Sequence, residues 1–277
     1  MIDHFGLTVR RACRLVQLNR STFRYKKQGK DDTEIRERIR FLARRYPRYG
    51  SPRIHLLLQR EGLKVNHKKV ERIYREEELS LRRKRKRRIR SEAREKPDAP
   101  QKPNERWSLD FISDSIAGGR RFRSLNVLDE FTREALALEV DTSISGQAVT
   151  RVLERIGMIR GFPDMILCDN GPEFISKAMD QWCYQKGIRL CFITPGKPIE
   201  NCFVESFNGR FRDECLNINW FQSIFEAREI IERWRVEYNT IRPHSSLDGL
   251  SPEEFRYKFE NNEFQAEPLI ASGLKWG

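Results

Sequence analysis

Asp110, Asp169 and Glu205 stand where an acid does little for a fold. Asp110 falls inside the alternating run Trp107-Ser108-Leu109-Asp110-Phe111-Ile112, which reads as a strand with Asp110 on the side opposite Trp107, Leu109 and Phe111. Asp169 follows the short apolar strand Met165-Ile166-Leu167-Cys168 and precedes Asn170-Gly171-Pro172, which is turn chemistry. Glu205 lies on a helix whose Phe203, Phe207 and Phe211 recur every four residues and should face a core. Glu205, Asn208 and Arg212 form a separate polar stripe, which suits DNA phosphates and equally suits a plain surface helix. Three such acids fit phosphodiester chemistry, in which a nucleophile meets a negatively charged centre and a poor alkoxide leaving group. Hard divalent cations ease both difficulties and prefer oxygen ligands. Two ions about 3.5–4 Å apart activate the attacking oxygen and stabilise the departing one. The chain has no GxxxxGK[ST] loop and no Ser/His/Asp set, so nucleotide hydrolysis is not expected.

The acids need a sheet to carry them. Phe122–Leu128 and Ala135–Val140 are strand candidates beside the first, with Gly118-Gly119 as a turn. Ser145–Ile159 has helical periodicity through Ala148, Val152, Leu153 and Ile156, residues 175–186 read as a helix, and Ile188–Ile193 as a fifth strand. Strands first and α/β alternation afterwards predict a mixed sheet covered by helices, with both acid-bearing strands central. Long helices are expected over 199–218 and 223–239, and no pattern after about residue 260.

Upstream, the chain reads as helical and basic. Residues 1–30 suggest a helix with an apolar stripe of Ala12, Leu15 and Val16, a turn, and a second short helix carrying Arg20 and Arg24. Over 31–81 three helices are expected: one capped by Thr33 through Ile35, Ile39 and Leu42; one starting at Ser51-Pro52 through Ile54, Leu57 and Leu58; one capped by Asn66 through Val70, Ile73 and Tyr74. Arg82, Arg83, Lys84, Arg85, Lys86, Arg87 and Arg88 open a run with eight basic side chains in nine positions. Such a run stays in solvent unless phosphates neutralise it. Pro97, Pro100 and Pro103 then mark residues 82–106 as a linker, leaving a core over 107–258 and a tail over 259–277. A net charge of +13 calls for a polyanionic partner, with DNA or RNA foremost. Six cysteines without a CxxC pair argue for reduced thiols and against structural zinc. No apolar stretch is long enough to span a membrane, so a cytosolic protein is expected.

The blocks around the acids, in order, resemble a known group. They are Trp107-Ser108-Leu109-Asp110-Phe111, Asp169-Asn170-Gly171-Pro172-Glu173-Phe174, and Gly196-Lys197-Pro198 leading through Asn201 to Glu205-Ser206-Phe207-Asn208-Gly209-Arg210. Positions 170 to 204, thirty-five residues, separate Asp169 from Glu205. Tyr238-Asn239, Arg242-Pro243-His244-Ser245-Ser246-Leu247 and Ser251-Pro252-Glu253-Glu254-Phe255 follow, while Tyr49-Gly50, Arg53-Ile54 and Val65-Asn66-His67-Lys68 match upstream. The set resembles the second-frame (OrfB-type) transposases of bacterial insertion sequences, which have a retroviral-integrase-like catalytic core of the DD(35)E pattern. Glu200 where relatives commonly have Asp, and Ser51 where an aromatic is usual, depart from it.

The resemblance implies a ribonuclease-H-like α/β core with five strands ordered 3-2-1-4-5, preceded by a small all-helical DNA-binding region. It implies catalysis and metal ligation by Asp110, Asp169 and Glu205 with two Mg²⁺ or Mn²⁺ ions, and cleavage and strand transfer at terminal inverted repeats in a nucleoid-associated bacterial protein. DNA ends and target DNA are the expected partners, in a homo-oligomer, with an upstream-frame protein joined by frameshifting. Lys197, Asn208 and Arg212 are expected at phosphates, beside Arg20, Arg24 and the basic run; Asn170, Gly171 and Asn201 are expected to support the acids. Arg242 and His244 serve either DNA or the anchoring of the C-terminal helices, and Glu173 is too close to Asp169 to be the third acid. The alternatives are an endonuclease that hydrolyses without joining, and a catalytically silent DNA-binding regulator.

Overall fold

The computed structural model describes residues 5–25, 32–81, 99–194 and 202–263. The basic run Arg82–Arg88, Lys197 and Asn201 therefore lie outside the described residues.

Five strands form one sheet in the order β3-β2-β1-β4-β5. β1 (Arg106–Ser115), β2 (Arg121–Asp129) and β3 (Ala135–Asp141) are an antiparallel meander, and β4 (Met165–Cys168) and β5 (Arg189–Phe192) run parallel to β1. This is the ribonuclease-H-like arrangement implied by the motifs. Alternation along β1 feeds two cores. Trp107 and Leu109 face a core with Val149, Val152 and Leu153 of α6 (Gly146–Arg160) and Met179 and Trp182 of α7 (Lys177–Lys186). Ile112 faces the other core, filled by Phe207 and Phe211 of α8 (Cys202–Glu214) and Ile231 and Tyr238 of α9 (Ile224–Thr240). Asp110, with the parity of Ile112, points to this second side.

Three helices of the sheet domain begin on a side-chain cap. Ser145 Oγ accepts from Ala148 N, Ser176 Oγ from Met179 N, and Ser223 Oγ from Glu226 N. The long helix expected over 199–218 is shorter: α8 ends at Glu214 and a 3₁₀ turn, Leu216–Ile218, follows. α10 (Pro252–Glu260) is a helix that periodicity alone did not suggest, opened by a full capping box between Ser251 and Glu254.

Upstream, α1 (Val9–Leu15) and α2 (Arg20–Arg24) form the expected hairpin, but of its apolar stripe Ala12 alone is buried. Ala12 and Cys13 are buried whereas Leu15 is 64% and Val16 54% exposed, because helices of seven and five residues enclose almost nothing. α3 (Thr33–Arg45), α4 (Ser51–Arg60) and α5 (His67–Glu76) enclose Ile39, Leu42, Ile54, Leu57, Leu58, Val70, Ile73 and Tyr74. Asp32, not Thr33, occupies the N-cap of α3, and its carboxylate binds Lys69 and Arg72 of α5 instead of capping. Asn66 caps α5 as expected. Among the described residues no helix is long and apolar enough to cross a membrane.

Arginines of the three-helix unit dock it onto the sheet domain. Arg45 pairs with Glu237 at 2.7 Å, Arg48 with Asp213, Arg53 with Glu214 at 3.1 Å and Arg60 with Glu254. Behind them Arg242, 1% exposed, grips Glu214 through two bonds of 2.6 and 2.7 Å. His244 is buried beside it, with Arg242 Nη1 3.4 Å from its Nε2 and the Tyr238 ring edge-on at 4.8 Å. An arginine only donates, so Nε2 is the accepting nitrogen of a neutral ring. Of the two roles open to Arg242 and His244, anchoring is the one their burial supports.

Burial, then the charges of Arg242, Arg210 and Arg53, push His244 well below the ordinary histidine range. The neutral ring is the folded form, so below the unfolded-state value of about 6.5 the unfolded chain takes up the extra proton. This contribution to stability is complete above about pH 6.5 and shrinks as pH falls, by up to roughly 1.4 kcal/mol per pH unit. His244→Gln is expected to be less stable than the wild type at pH 7.5, with the gap about 1 kcal/mol smaller at pH 5.5. Urea unfolding of both proteins at the two pH values measures the change; an equal gap at both would show that His244 does not titrate on unfolding.

Candidate active site

The register of β1 puts Asp110 directly opposite Asn126 of β2. Its Oδ1 accepts from Phe111 N at 2.8 Å and its Oδ2 from Asn208 Nδ2 of α8 at 2.6 Å. Burial is the main cause of a carboxyl pushed up to about 6; the Phe111 and Asn208 bonds oppose the rise, and the negative charges of Asp169 and Glu205 add to it. The three acids are thus electrostatic neighbours, brought together from β1, the end of β4 and the first turn of α8. Asp169 and Glu205 are exposed, open to a ligand from solvent. Among the described residues no three His, Cys, Asp or Glu side chains stand close enough to share one ion. The acids therefore share a field without forming a closed cage.

Packing fixes both α8 and the turn that follows Asp169. α8 is held by Phe207 against Tyr238 at 5.1 Å and Phe211 against Trp234 at 5.0 Å between ring centroids. Burying aromatics of this size stabilises by about 1.5–3 kcal/mol each, and it keeps Asn208 against β1. The turn after Asp169 is tied down twice. Phe174 is buried and stacks on Phe111 at 5.1 Å, while Glu173 pairs with Arg123 of β2, whose guanidinium lies 4.0 Å over the Phe111 ring. Within the turn Gly171 N donates to Asp169 Oδ1 at 3.0 Å, and Asn170 Nδ2 lies 3.5 Å from the Ile193 carbonyl beyond β5. A Cβ on Gly171 would stand 2.9 Å from Asp169 Oδ1. The sequence pointed to turn chemistry here, and close approach to the acid is its physical content.

The residues expected at DNA are spread out. Arg20 and Arg24 are exposed on α2, and Arg212 is exposed on α8 with Nη2 3.4 Å from the Ser113 carbonyl. Asn208 turns inward to Asp110 and Asn126, so the stripe Glu205-Asn208-Arg212 does not present one face to a ligand. Sequence reasoning missed Ser124 and Asn126, both fully buried behind Asp110. Two polar side chains among Phe122, Leu125, Val127 and Leu128 were the available signal. It also missed the pairing of Arg123 with Glu173, which nothing local announces.

The comparisons agree with this architecture. The integrase core domain family matches at residues 100–198 and again at 186–252, and an HTH-like domain family matches at 30–87. The 31.7 kDa protein of insertion element IS407 from Burkholderia multivorans is 47% identical, over 92% of this chain and 93% of its own length. The 39.2 kDa protein of insertion element IS476 from Xanthomonas euvesicatoria is 44% identical, over 95% and 76%. The transposase for insertion sequence element IS904 of Lactococcus lactis is 28% identical over 55% of this chain and 61% of its own. Among solved structures, the HTLV-2 integrase catalytic core domain in complex with magnesium aligns with 56% of this chain and 97% of its own, at 17% identity and a TM-score of 0.43. An HTH-like unit, an integrase core and near-full-length identity to insertion-element proteins place the chain in one family: it belongs to the OrfB-type transposases of bacterial insertion sequences, with a retroviral-integrase-like core.

Proposed function

We propose that this chain cleaves DNA at the terminal inverted repeats of its element and joins the ends to target DNA, using Asp110, Asp169 and Glu205. The observation that carries this reading is the convergence of Asp110 from β1, Asp169 from the end of β4 and Glu205 from the first turn of α8, near enough for the two exposed acids to help raise the buried Asp110 carboxyl. Like charges gathered at the edge of a core raise free energy unless a cation offsets them. Their donors are hard oxygens, which fit Mg²⁺ or Mn²⁺. Asp110, Asp169 and Glu205 would hold two such ions, which supply activation of the attacking oxygen and charge neutralisation at the phosphate.

The chain's own residues do the placing. The Phe111 amide and Asn208 keep the Asp110 carboxylate in one orientation, and the Gly171 amide does the same for Asp169. α3–α5 would bind the repeat, the basic segment 82–106 would follow the backbone between this unit and the core, and Arg212 would meet phosphate beside the acids. Work on two DNA ends calls for at least two copies of the chain, with an upstream-frame protein completing the machinery.

The test is incubation with Mn²⁺ and end-labelled duplexes carrying the element's own termini, with products sized on denaturing gels. Strands longer than the substrate support joining, shortened strands alone support an endonuclease, and binding without a product supports a regulator.

Gly171→Ala is expected to fold with an unfolding midpoint within a few degrees of wild type, since Gly171 is not among the positive-φ glycines. The added Cβ must displace Asp169 Oδ1, and misplacement of a reacting group by about an ångström costs up to roughly 100-fold. A variant that folds and joins DNA at the wild-type rate would contradict the assigned role of this turn.

A further inference from the structure

Behind Asp110 lies a line of buried polar groups that the proposed chemistry does not consume. Ser124 and Asn126 have no solvent exposure, and strand β2 around them is apolar. Ser124 Oγ donates to Asn126 Oδ1 at 2.7 Å. Asn126 Nδ2 donates to Asn208 Oδ1 at 2.6 Å, and Asn208 Nδ2 donates to Asp110 Oδ2 at 2.6 Å. Valine or leucine would serve a buried strand better at both β2 positions, because a buried hydroxyl or amide costs free energy unless fully bonded. Each of these buried polar atoms has a partner, and the chain of bonds leads to one place.

Its direction is set at the Asp110 end. A carboxylate accepts and never donates, so Asn208 must turn its nitrogen to Asp110 and its oxygen to Asn126. Asn126 must then offer its nitrogen to Asn208, which leaves its oxygen for the Ser124 hydroxyl. Without these partners the terminal torsion of an asparagine is soft and nearly two-fold, and Asn208 could present either end of its amide. Each carboxylate oxygen has two acceptor sites. The Phe111 amide uses one on Oδ1 and Asn208 one on Oδ2, so both oxygens keep a site for a cation.

We propose that Ser124 and Asn126 are positioning residues, which lock the Asn208 amide and through it hold the Asp110 carboxylate ready for a divalent cation. The inference rests on the metal-dependent reading above. Partners one step removed from a ligand typically change metal affinity by about 10–100-fold, and Asn126 acts through Asn208 at the lower end of that range.

The test uses the full chain with Mn²⁺ alone and no DNA, comparing wild type, Asn126→Val and Ser124→Ala. Titration calorimetry gives Mn²⁺ affinity, and NMR hydrogen exchange gives protection of the Asn208 side-chain amide in metal-free protein. Asn126→Val is expected to bind Mn²⁺ about 10-fold more weakly and to exchange the Asn208 amide at least about 10-fold faster. Ser124→Ala is expected to show both effects at roughly threefold, since it frees only the far end. A purely structural role would lower the unfolding midpoint while leaving both readouts of the folded protein unchanged, and that result overturns the proposal. Should Asn126→Val not fold, wild-type values for Ser124→Ala overturn it equally. If the wild type binds no Mn²⁺, the metal-dependent reading fails, and amide protection alone decides the lock.

Discussion

Replacing Arg242 by Met is expected to cost the folded chain about 3–5 kcal/mol, seen as a large fall in the urea midpoint at pH 7.5. Arg242 and Glu214 are both buried and meet through two parallel bonds. Removing the cation leaves a carboxylate away from water with Arg53, at 3.1 Å, as its remaining ion-pair partner among the described residues. The pair stands where the arginines of α3 and α4 meet the C-terminal helices, so the loss should also loosen the docked three-helix unit. The double variant Arg242→Met with Glu214→Leu should recover much of the stability, because an apolar replacement of a buried pair is often close to neutral. A single variant within about 1 kcal/mol of wild type, or a double variant as unstable as the single, would show that the pair is not what holds this junction.

Asp110→Asn should separate stability from activity. In metal-free buffer at pH 7.5 its unfolding midpoint should be equal to wild type or higher, since the charge removed is half-buried and opposed by Asp169 and Glu205. DNA joining with Mn²⁺ should fall by at least about 100-fold, beyond the range seen for residues one step from a ligand. Together the two results describe an acid retained for chemistry at some cost to the fold. An active Asp110→Asn variant, or one that unfolds readily, would contradict that account.

Most of the framework was legible because it depends on local sequence. Alternation in β1, the apolar strand candidates that became β2 and β3, the helical spacing of α6 and α9 and the Asn66 cap all express short-range rules. The readings that missed are those decided by distant partners. Asp32 displaces Thr33 as cap residue while its carboxylate serves Lys69 and Arg72 on another helix. Leu15 and Val16 have the right spacing for burial but no surface to meet. Asn208 belongs to a polar stripe by spacing, yet it points to a strand about a hundred residues upstream. Ser124 and Asn126 acquire meaning only when register sets Asn126 opposite Asp110. Arg242 finds Glu214 only after α8 and α9 fold back on each other. The acids were chosen for their chemistry and surroundings in sequence, whereas what orients them is tertiary.

On the proposed function, Asp110, Asp169 and Glu205 act together to join DNA strands. The most direct measurement is the Mn²⁺-dependent joining assay on duplexes from the element's termini, run with wild type and Asp169→Asn, with the upstream-frame protein present. Asp169 is exposed, so the substitution should leave the fold intact and any loss should report on chemistry. Joined strands are expected from the wild type, and they should disappear in the absence of metal and in Asp169→Asn. Joined strands at the wild-type level from a correctly folded Asp169→Asn protein, or no metal-dependent product from the wild type, would contradict it.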